Sequence, residues 1–338
     1  MTYYPWQEKN WLSITKDFNQ LPNAWLFYGQ TGIGKVDFAQ AVAAALLCKT
    51  PHKNHHACGH CLSCHWFHKG NHPDFYIVTP TLPTIETDIV SRSLKKMPLI
   101  KMEAIQQMMN FASLSSHQGA LRIVLIAPAE TMTIAAANAL LKILEEPAKT
   151  LLFLMVSHAK ARLLPTIVSR CRQFPLSTPS YQCALDWLKK QPIDDAEAIL
   201  ALQSGSPLLN HETTYSTLHQ TFIKILSQPT LIALLSIAEE MEQQKVPLAL
   251  SLTWLAKWLF DLIAYQLSST IRFHPHEKAS LQKLVQWLNG SAIFACYDKI
   301  QAIRIGELQA LSARTQLEAL LMEYRRLFTL TKQADHAR

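Results

Sequence analysis

The chain has 338 residues, 49% of them hydrophobic and 17% charged, which is too long for one ordinary domain and ample for a core in each of two or three. Its net charge of +7 is one-sided: residues 1–175 hold 17 Lys and Arg against 10 Asp and Glu, and residues 176–338 hold 15 of each. A basic first half is suited to an anion such as nucleic acid, with a solvated basic surface as the plain alternative, and Met1-Thr-Tyr-Tyr-Pro-Trp6 has neither the basic start nor the apolar run of a secretory signal, so a cytoplasmic protein without a membrane span is expected.

In chain order, the first apolar run is Trp25 to Tyr28, which reads as a strand. Gly29-Gln-Thr-Gly-Ile-Gly34-Lys35 follows, the G-x-x-x-x-G-K pattern of a phosphate-cradling loop. In such a loop the glycines, here Gly29, Gly32 and Gly34, let backbone N–H groups close on phosphate, and Lys35 reaches the terminal phosphates. The next position should carry a hydroxyl for Mg²⁺, and here it is Val36, which cannot ligate a metal. Val36 to Leu47 reads as an alanine-rich helix whose N-terminus would face the anion. A glycine turn with a chance lysine is the competing reading.

Next comes a Cys/His-rich insert, residues 48–72, carrying Cys48-x9-Cys58-x2-Cys61-x2-Cys64. Four thiolates complete a tetrahedral Zn²⁺ site, and two-residue gaps let neighbouring sulfurs converge on one ion. With no open coordination position the zinc would be structural, stapling an insert with little core of its own. Incidental thiols and an iron–sulfur cluster are the rivals. Seven histidines crowd the same stretch, any one of which could replace a cysteine, although most should be solvated.

Asp74 to Val78 then reads as a strand, Lys101 to Ser115 as a helix, Leu121 to Ile126 as a buried strand, Ile134 to Glu146 as a helix stopped by Pro147, and Leu151 to Val156 as a strand. Such alternation implies a mostly parallel sheet covered by helices. Pro175, Ser177, Thr178 and Pro179 mark a boundary, and residues 180–207 a small helical unit ending at Ser204-Gly-Ser-Pro207. Everything beyond reads as helix. Val246 to Ala264 is the longest apolar segment, but Lys257 and Asp261 within it suit a bundle helix better than a membrane span. The last helix, Gly306 to Phe328, sets Leu317, Leu320, Leu321, Tyr324, Leu327 and Phe328 on one face.

Ala135-Ala-Ala-Asn-Ala-Leu-Leu-Lys-Ile-Leu-Glu-Glu-Pro147 resembles the A-N-A-L-L-K-x-L-E-E-P signature of bacterial clamp-loader subunits, and Ser169-Arg170-Cys171 matches their S-R-C motif. Tyr4-Pro5-Trp6 and Cys58-Gly-His-Cys61 through His72-Pro-Asp74 are also similar, and the four-cysteine insert sits where that family carries a zinc module. The resemblance is to the delta-prime branch of the family, AAA+ fold proteins of DNA polymerase III. It implies an α/β AAA+ nucleotide-binding fold with a zinc insert (1–175, module 48–72), a small helical lid (176–208) and an all-α C-terminal collar for assembly (209–338). It also implies a hetero-oligomer with ATPase subunits and a delta-type subunit, acting on a sliding clamp and primed DNA.

The departures from that pattern are concentrated in nucleotide chemistry. Besides Val36, Pro128 stands where the family has a metal-binding Asp, with Glu130 further along. Leu208 stands where the second domain usually supplies an arginine. Ser157, at the sensor position, and Arg170 are retained. The resemblance therefore implies a non-catalytic subunit, a stator, whose Arg170, beside Ser169, reaches a neighbour's site as an arginine finger. Glu145 and Glu146, at a helix end, read as structural or solvated. The sequence leaves ATP binding at the loop open. It also leaves two rivals: an active ATPase rescued by Glu130, and a zinc-dependent nucleic-acid module using Trp66, Phe67 and Lys69.

Overall fold

The computed structural model describes residues 3–80, 99–113, 121–146, 148, 150–191, 195–208, 215–288, 290–305 and 312–328. Among these, one compact unit runs as far as Trp187 and takes back residues 206–208; the other comprises 188–205 and all that follows from 215.

The first unit is built on five parallel strands: β1 (Ala24–Tyr28), β2 (Phe75–Val78), β3 (Arg122–Ile126), β4 (Leu151–Ser157) and β5 (Arg172–Pro175), in the order β2-β3-β4-β1-β5. The central strands β1, β3 and β4 are apolar almost end to end because both faces are covered. Trp25, Phe27, Leu125 and Leu154 pack on one face with Phe38 and Val42 of α2 (Lys35–Leu47) and Trp11 of α1 (Glu8–Ile14). Leu26, Val124, Phe153 and Met155 pack on the other with α4 (Met102–Ser113), α5 (Ile134–Glu145) and α6 (Pro165–Arg170) through Ile105, Met108, Leu140 and Ile167. α3 (Leu62–His68) lies in the cysteine insert, and α7 (Tyr181–Leu188) follows the sheet. Each fully buried side chain of this size contributes about 1.5–3 kcal/mol, so burial on the two faces of the sheet is what chiefly stabilises this unit.

The expected elements are present, with shifted ends. α4 stops at Ser113 within the described residues, and α5 ends at Glu145, capped at its start by Thr133, whose hydroxyl accepts from the Ala136 N–H at 3.2 Å. Some elements have no periodic signal. β5 is a polar edge strand in which only Phe174 is buried, and α3 and α6 are too short to display a helical repeat. β5 ends at Pro175, the first residue of the expected boundary segment.

The second unit is helical: α8 (Ala196–Leu202), α9 (Ser216–Ser227), α10 (Leu231–Gln243), α11 (Leu248–Ser268), α12 (Lys278–Val285), α13 (Gly290–Ile305) and α14 (Ala313–Arg326). Phe222, Trp254, Trp258, Leu259, Leu321 and Tyr324 form its core. Trp258 Nε1–H donates to the Tyr324 hydroxyl at 2.8 Å, which donates to the Leu226 carbonyl at 2.7 Å, so the polar atoms of both rings are satisfied inside the core. Asp261 does not serve as a surface partner. It is fully buried and accepts from the N–H groups of Arg272, Phe273 and His274, ending the long α11 against the loop that follows. The last helix starts later than expected. Ser312 caps it through the Thr315 N–H at 3.1 Å, and residues 306–311 lie outside the described residues.

Candidate functional site

The glycine loop joins β1 to α2 at the carboxyl edge of the sheet, where the strand order turns back on itself and ligands of open parallel sheets bind. Gly34 is the cap of α2 at φ 80°, and a Cβ there would strike the Tyr4 ring. Gly32 is also left-handed, at φ 77°. Gly29 is fixed by close approach, since a Cβ on it would collide with the Leu176 carbonyl.

Within this frame the loop is closed on itself. Lys35 is 2% exposed, and its ammonium donates to the loop's own carbonyls, Gly29 O at 2.9 Å and Gln30 O at 2.5 Å. Burial lowers its pKa to about 8, against a smaller raising effect of the Glu130 carboxylate. The other side of the loop is capped from a distance. Gln7 Nε2 donates to Ile33 O at 2.8 Å and Gly34 O at 2.9 Å, Trp6 Nε1 donates to Ile33 O at 3.0 Å, and the Leu208 N–H donates to Gly32 O at 3.0 Å. The Tyr4 ring stacks on Trp6 at 4.9 Å, and both meet the edge of Trp187.

Glu130 acts on Lys35 through its charge, and Ser157 ends β4 beside Tyr28 of β1. Glu130 Oε1 accepts from the His158 N–H at 2.9 Å, and its Oε2 is buried without a hydrogen-bond partner. Ser157 is fully buried, its Oγ accepting from the Ala159 N–H at 3.2 Å. The His158 ring is kept neutral, its pKa lowered by burial first and by Lys35 second. Val36 presents a half-buried hydrocarbon where a hydroxyl would ligate Mg²⁺.

The four cysteines converge. Their sulfurs all lie within 4.8 Å of one another, with Cys48–Cys61 and Cys58–Cys64 at 3.9 Å and Cys64–Cys48 at 3.6 Å. A tetrahedron of sulfurs with metal–sulfur bonds of about 2.3 Å has edges of about 3.8 Å, so the arrangement fits a four-coordinate ion. Backbone N–H groups already point at the sulfurs: Cys58 N–H to Cys48 at 3.3 Å, Cys61 N–H to Cys58 at 3.4 Å and Cys64 N–H to Cys61 at 3.5 Å. The Thr50 hydroxyl holds the Cys58 thiol down to about 5, while burial pushes Cys64 up to about 12. A bound cation deprotonates such thiols outright.

No histidine joins the cluster among the described residues. Five are exposed, His56 stacks on Trp11 at 4.7 Å, and His72 is buried. His72 Nδ1 accepts from the Asp74 N–H at 3.1 Å, so its Nε2–H donates to Ser63 Oγ at 2.9 Å, which donates to Leu47 O at 2.6 Å. That chain ties α3 to the end of α2 and the start of β2. Phe67 is also buried, packed on Phe75 at 4.6 Å, and has no face free for a base.

Arg170 is the last residue of α6 and half-exposed. Its guanidinium donates to Glu145 Oε1 at 2.7 Å and to Thr166 O at 3.0 Å. Ser169 Oγ donates to Thr166 O at 3.0 Å, and Cys171 is buried against Met155 at 3.7 Å. The apolar spacing gave no sign of the Glu145–Arg170 pair, the His158 contact or the Gln7 cap. They join residues 25, 28 and 26 positions apart, and only the fold brings them together.

A family model described as DNA polymerase III, delta subunit, matches residues 7–180. The DNA polymerase III subunit delta' of Pseudomonas aeruginosa is 33% identical over 346 aligned positions, covering 95% of this chain and 97% of its own. That of Escherichia coli is 31% identical over 212 positions, covering 61% and 59%. Among solved structures, a DNA polymerase III gamma subunit-related protein of Thermotoga maritima aligns over 94% of this chain and 99% of its own, with a TM-score of 0.48 and 16% identity.

Proposed function

This chain belongs to the family of DNA polymerase III delta-prime subunits, and from that premise we propose that it is a non-catalytic subunit of a bacterial clamp loader. In this reading it works in the cytoplasm inside a hetero-oligomer with ATPase subunits and a delta-type subunit. The assembly places a sliding clamp on primed DNA. Residues 1–175 form the AAA+ domain, 176–208 the lid and 209–338 the collar through which it assembles.

The observation that carries the non-catalytic role is the side chain beside the loop lysine: Val36 is a half-buried hydrocarbon where a hydroxyl would ligate Mg²⁺. Val36 and Pro128 withhold metal ligands, and Leu208 brings a backbone N–H to the loop where a long cation would serve phosphate. A rescue by Glu130 is disfavoured by the same geometry, since one of its oxygens is already held by the His158 amide. The nucleic-acid module is disfavoured by the burial of Phe67. The four cysteines would hold Zn²⁺, which supplies structure and no chemistry here.

Arg170 would supply the one catalytic group, acting on a neighbour. A planar guanidinium matches the oxygens of a phosphoryl group in transit, and such fingers are worth on the order of 10³–10⁵ in rate at their site. The isolated protein should show no ATP hydrolysis above background. Steady turnover that disappears in Lys35→Ala would overturn the assignment. Within the assembled loader, Arg170→Ala should slow hydrolysis while gel filtration shows the complex intact.

A further inference from the structure

We infer that Glu145 is the positioning residue for Arg170, holding its guanidinium at the orientation from which it reaches a neighbouring phosphate; the inference rests on the trans-acting role proposed above. Glu145 and Arg170 are the last residues of two helices packed in one core. Leu144, 5% exposed, fixes the end of α5, and Ile167 and Cys171, at 0% and 7%, bracket the end of α6. The backbones on both sides are therefore anchored, and only the side chain of Arg170 needs a guide.

Two contacts supply it. One terminal nitrogen donates to Glu145 Oε1 at 2.7 Å and the other to the Thr166 carbonyl at 3.0 Å. Holding both terminal nitrogens fixes the plane of the guanidinium as well as its place. Of the five N–H groups a guanidinium carries, three remain to address an incoming anion. An arginine on a helix end otherwise samples many rotamers, and a free one would have to be ordered anew in each transition state. The pair is too exposed to hold the fold together. Side-chain exposures of 36% and 53% put it in the class whose removal leaves stability nearly unchanged. The effect of the contact therefore falls on the orientation of the arginine rather than on the stability of the fold.

The test is a double-mutant cycle in the assembled clamp loader, reading kcat and KM for ATP, with assembly checked by gel filtration. Glu145→Ala should lower total kcat by less than about twofold, and by no more than Arg170→Ala does, with KM unchanged, because a displacement of an ångström costs up to about 10²-fold at the adjacent site while the other sites continue. Added to Arg170→Ala, it should cost nothing further. Glu145→Gln keeps an acceptor oxygen in place and should restore most of the rate. Glu145→Lys sets like charge against the guanidinium and should be slower than Glu145→Ala, so it carries the same test if the alanine variant assembles poorly. If Arg170→Ala slows the complex while Glu145→Ala leaves it unchanged or faster, Glu145 positions nothing and the finger assignment stands. A slowing by Glu145→Ala that adds in full to that of Arg170→Ala overturns the inference as well. If Arg170→Ala itself has no effect, the finger assignment is what fails.

Discussion

Lys35 is an ammonium buried at 2% exposure, so the folded state binds its proton less tightly than the unfolded chain does. Its pKa falls from 10.5 to about 8, and between those values the unfolded chain holds a proton that the folded chain has released. Stability should therefore rise with pH across that window, by up to about 3 kcal/mol from this residue. The neutral amine still has two N–H groups for Gly29 and Gln30, so deprotonation leaves the loop's closure intact. Urea unfolding of the wild type and Lys35→Met at pH 7.5 and pH 10 checks this. The wild type should gain on the variant as pH rises, and parallel behaviour would mean that Lys35 is solvated.

At the scale of elements, the cysteine insert and the helical unit depend on different interactions. The insert has little apolar core of its own and hangs on the sulfur cluster and the Asp74–His72–Ser63–Leu47 chain. Cys61→Ser should reduce bound zinc from about one ion per chain to well below half, measured by metal analysis under reducing conditions. A loss of about 3 kcal/mol would lower the melting temperature of the α/β unit by about 6–12 °C. In the helical unit, His219 meets Trp254 edge-on at 4.9 Å and stacks on His274 at 5.8 Å. Burial, then His274 and Lys257, push its pKa down to about 3. The folded state thus refuses a proton that the unfolded chain accepts below pH 6.5. Stability falls as pH drops from 6.5 towards 3, by about 2 kcal/mol at pH 5. His219→Phe keeps the ring and removes the titration, so its denaturation midpoint should fall less than that of the wild type between pH 7 and pH 5.

For the whole molecule, the two units have separate cores: one around the sheet, the other around Trp254, Trp258 and Tyr324. Separate cores predict separate folding. A fragment beginning at residue 188 should therefore show full helical circular dichroism and a cooperative melt. Beginning it at 209 would lose α8, which packs on the turn at 275–277, where His276 meets Asp195 at 3.2 Å. Chelation of metal from the intact chain should lower the melting of the α/β unit and leave that of the helical unit where it was. A chelator that shifts both transitions equally would show that the units unfold as one.

Elements with a strong local pattern were legible from the sequence. β1, β3 and β4 are unbroken apolar runs because both faces of a parallel sheet are covered, and Gly34-Lys35 marks the turn into α2 because only glycine takes the left-handed cap there at low cost. Cys58, Cys61 and Cys64 announced themselves because spacing along the chain already limits how sulfurs can meet. What the tertiary structure decided is everything that depends on distant partners. β5 is a strand only because β1 offers its edge to a polar segment. Asp261 is buried because a loop 11 residues later supplies its donors. Lys35 is folded back onto its own loop in a site that Gln7 and Leu208 help to close, and Arg170 has its orientation from Glu145 on another helix. Side-chain identity fixes what chemistry a residue can perform. Which groups desolvate it, and where its hydrogen bonds go, is set by residues whose separation in sequence carries no local signal.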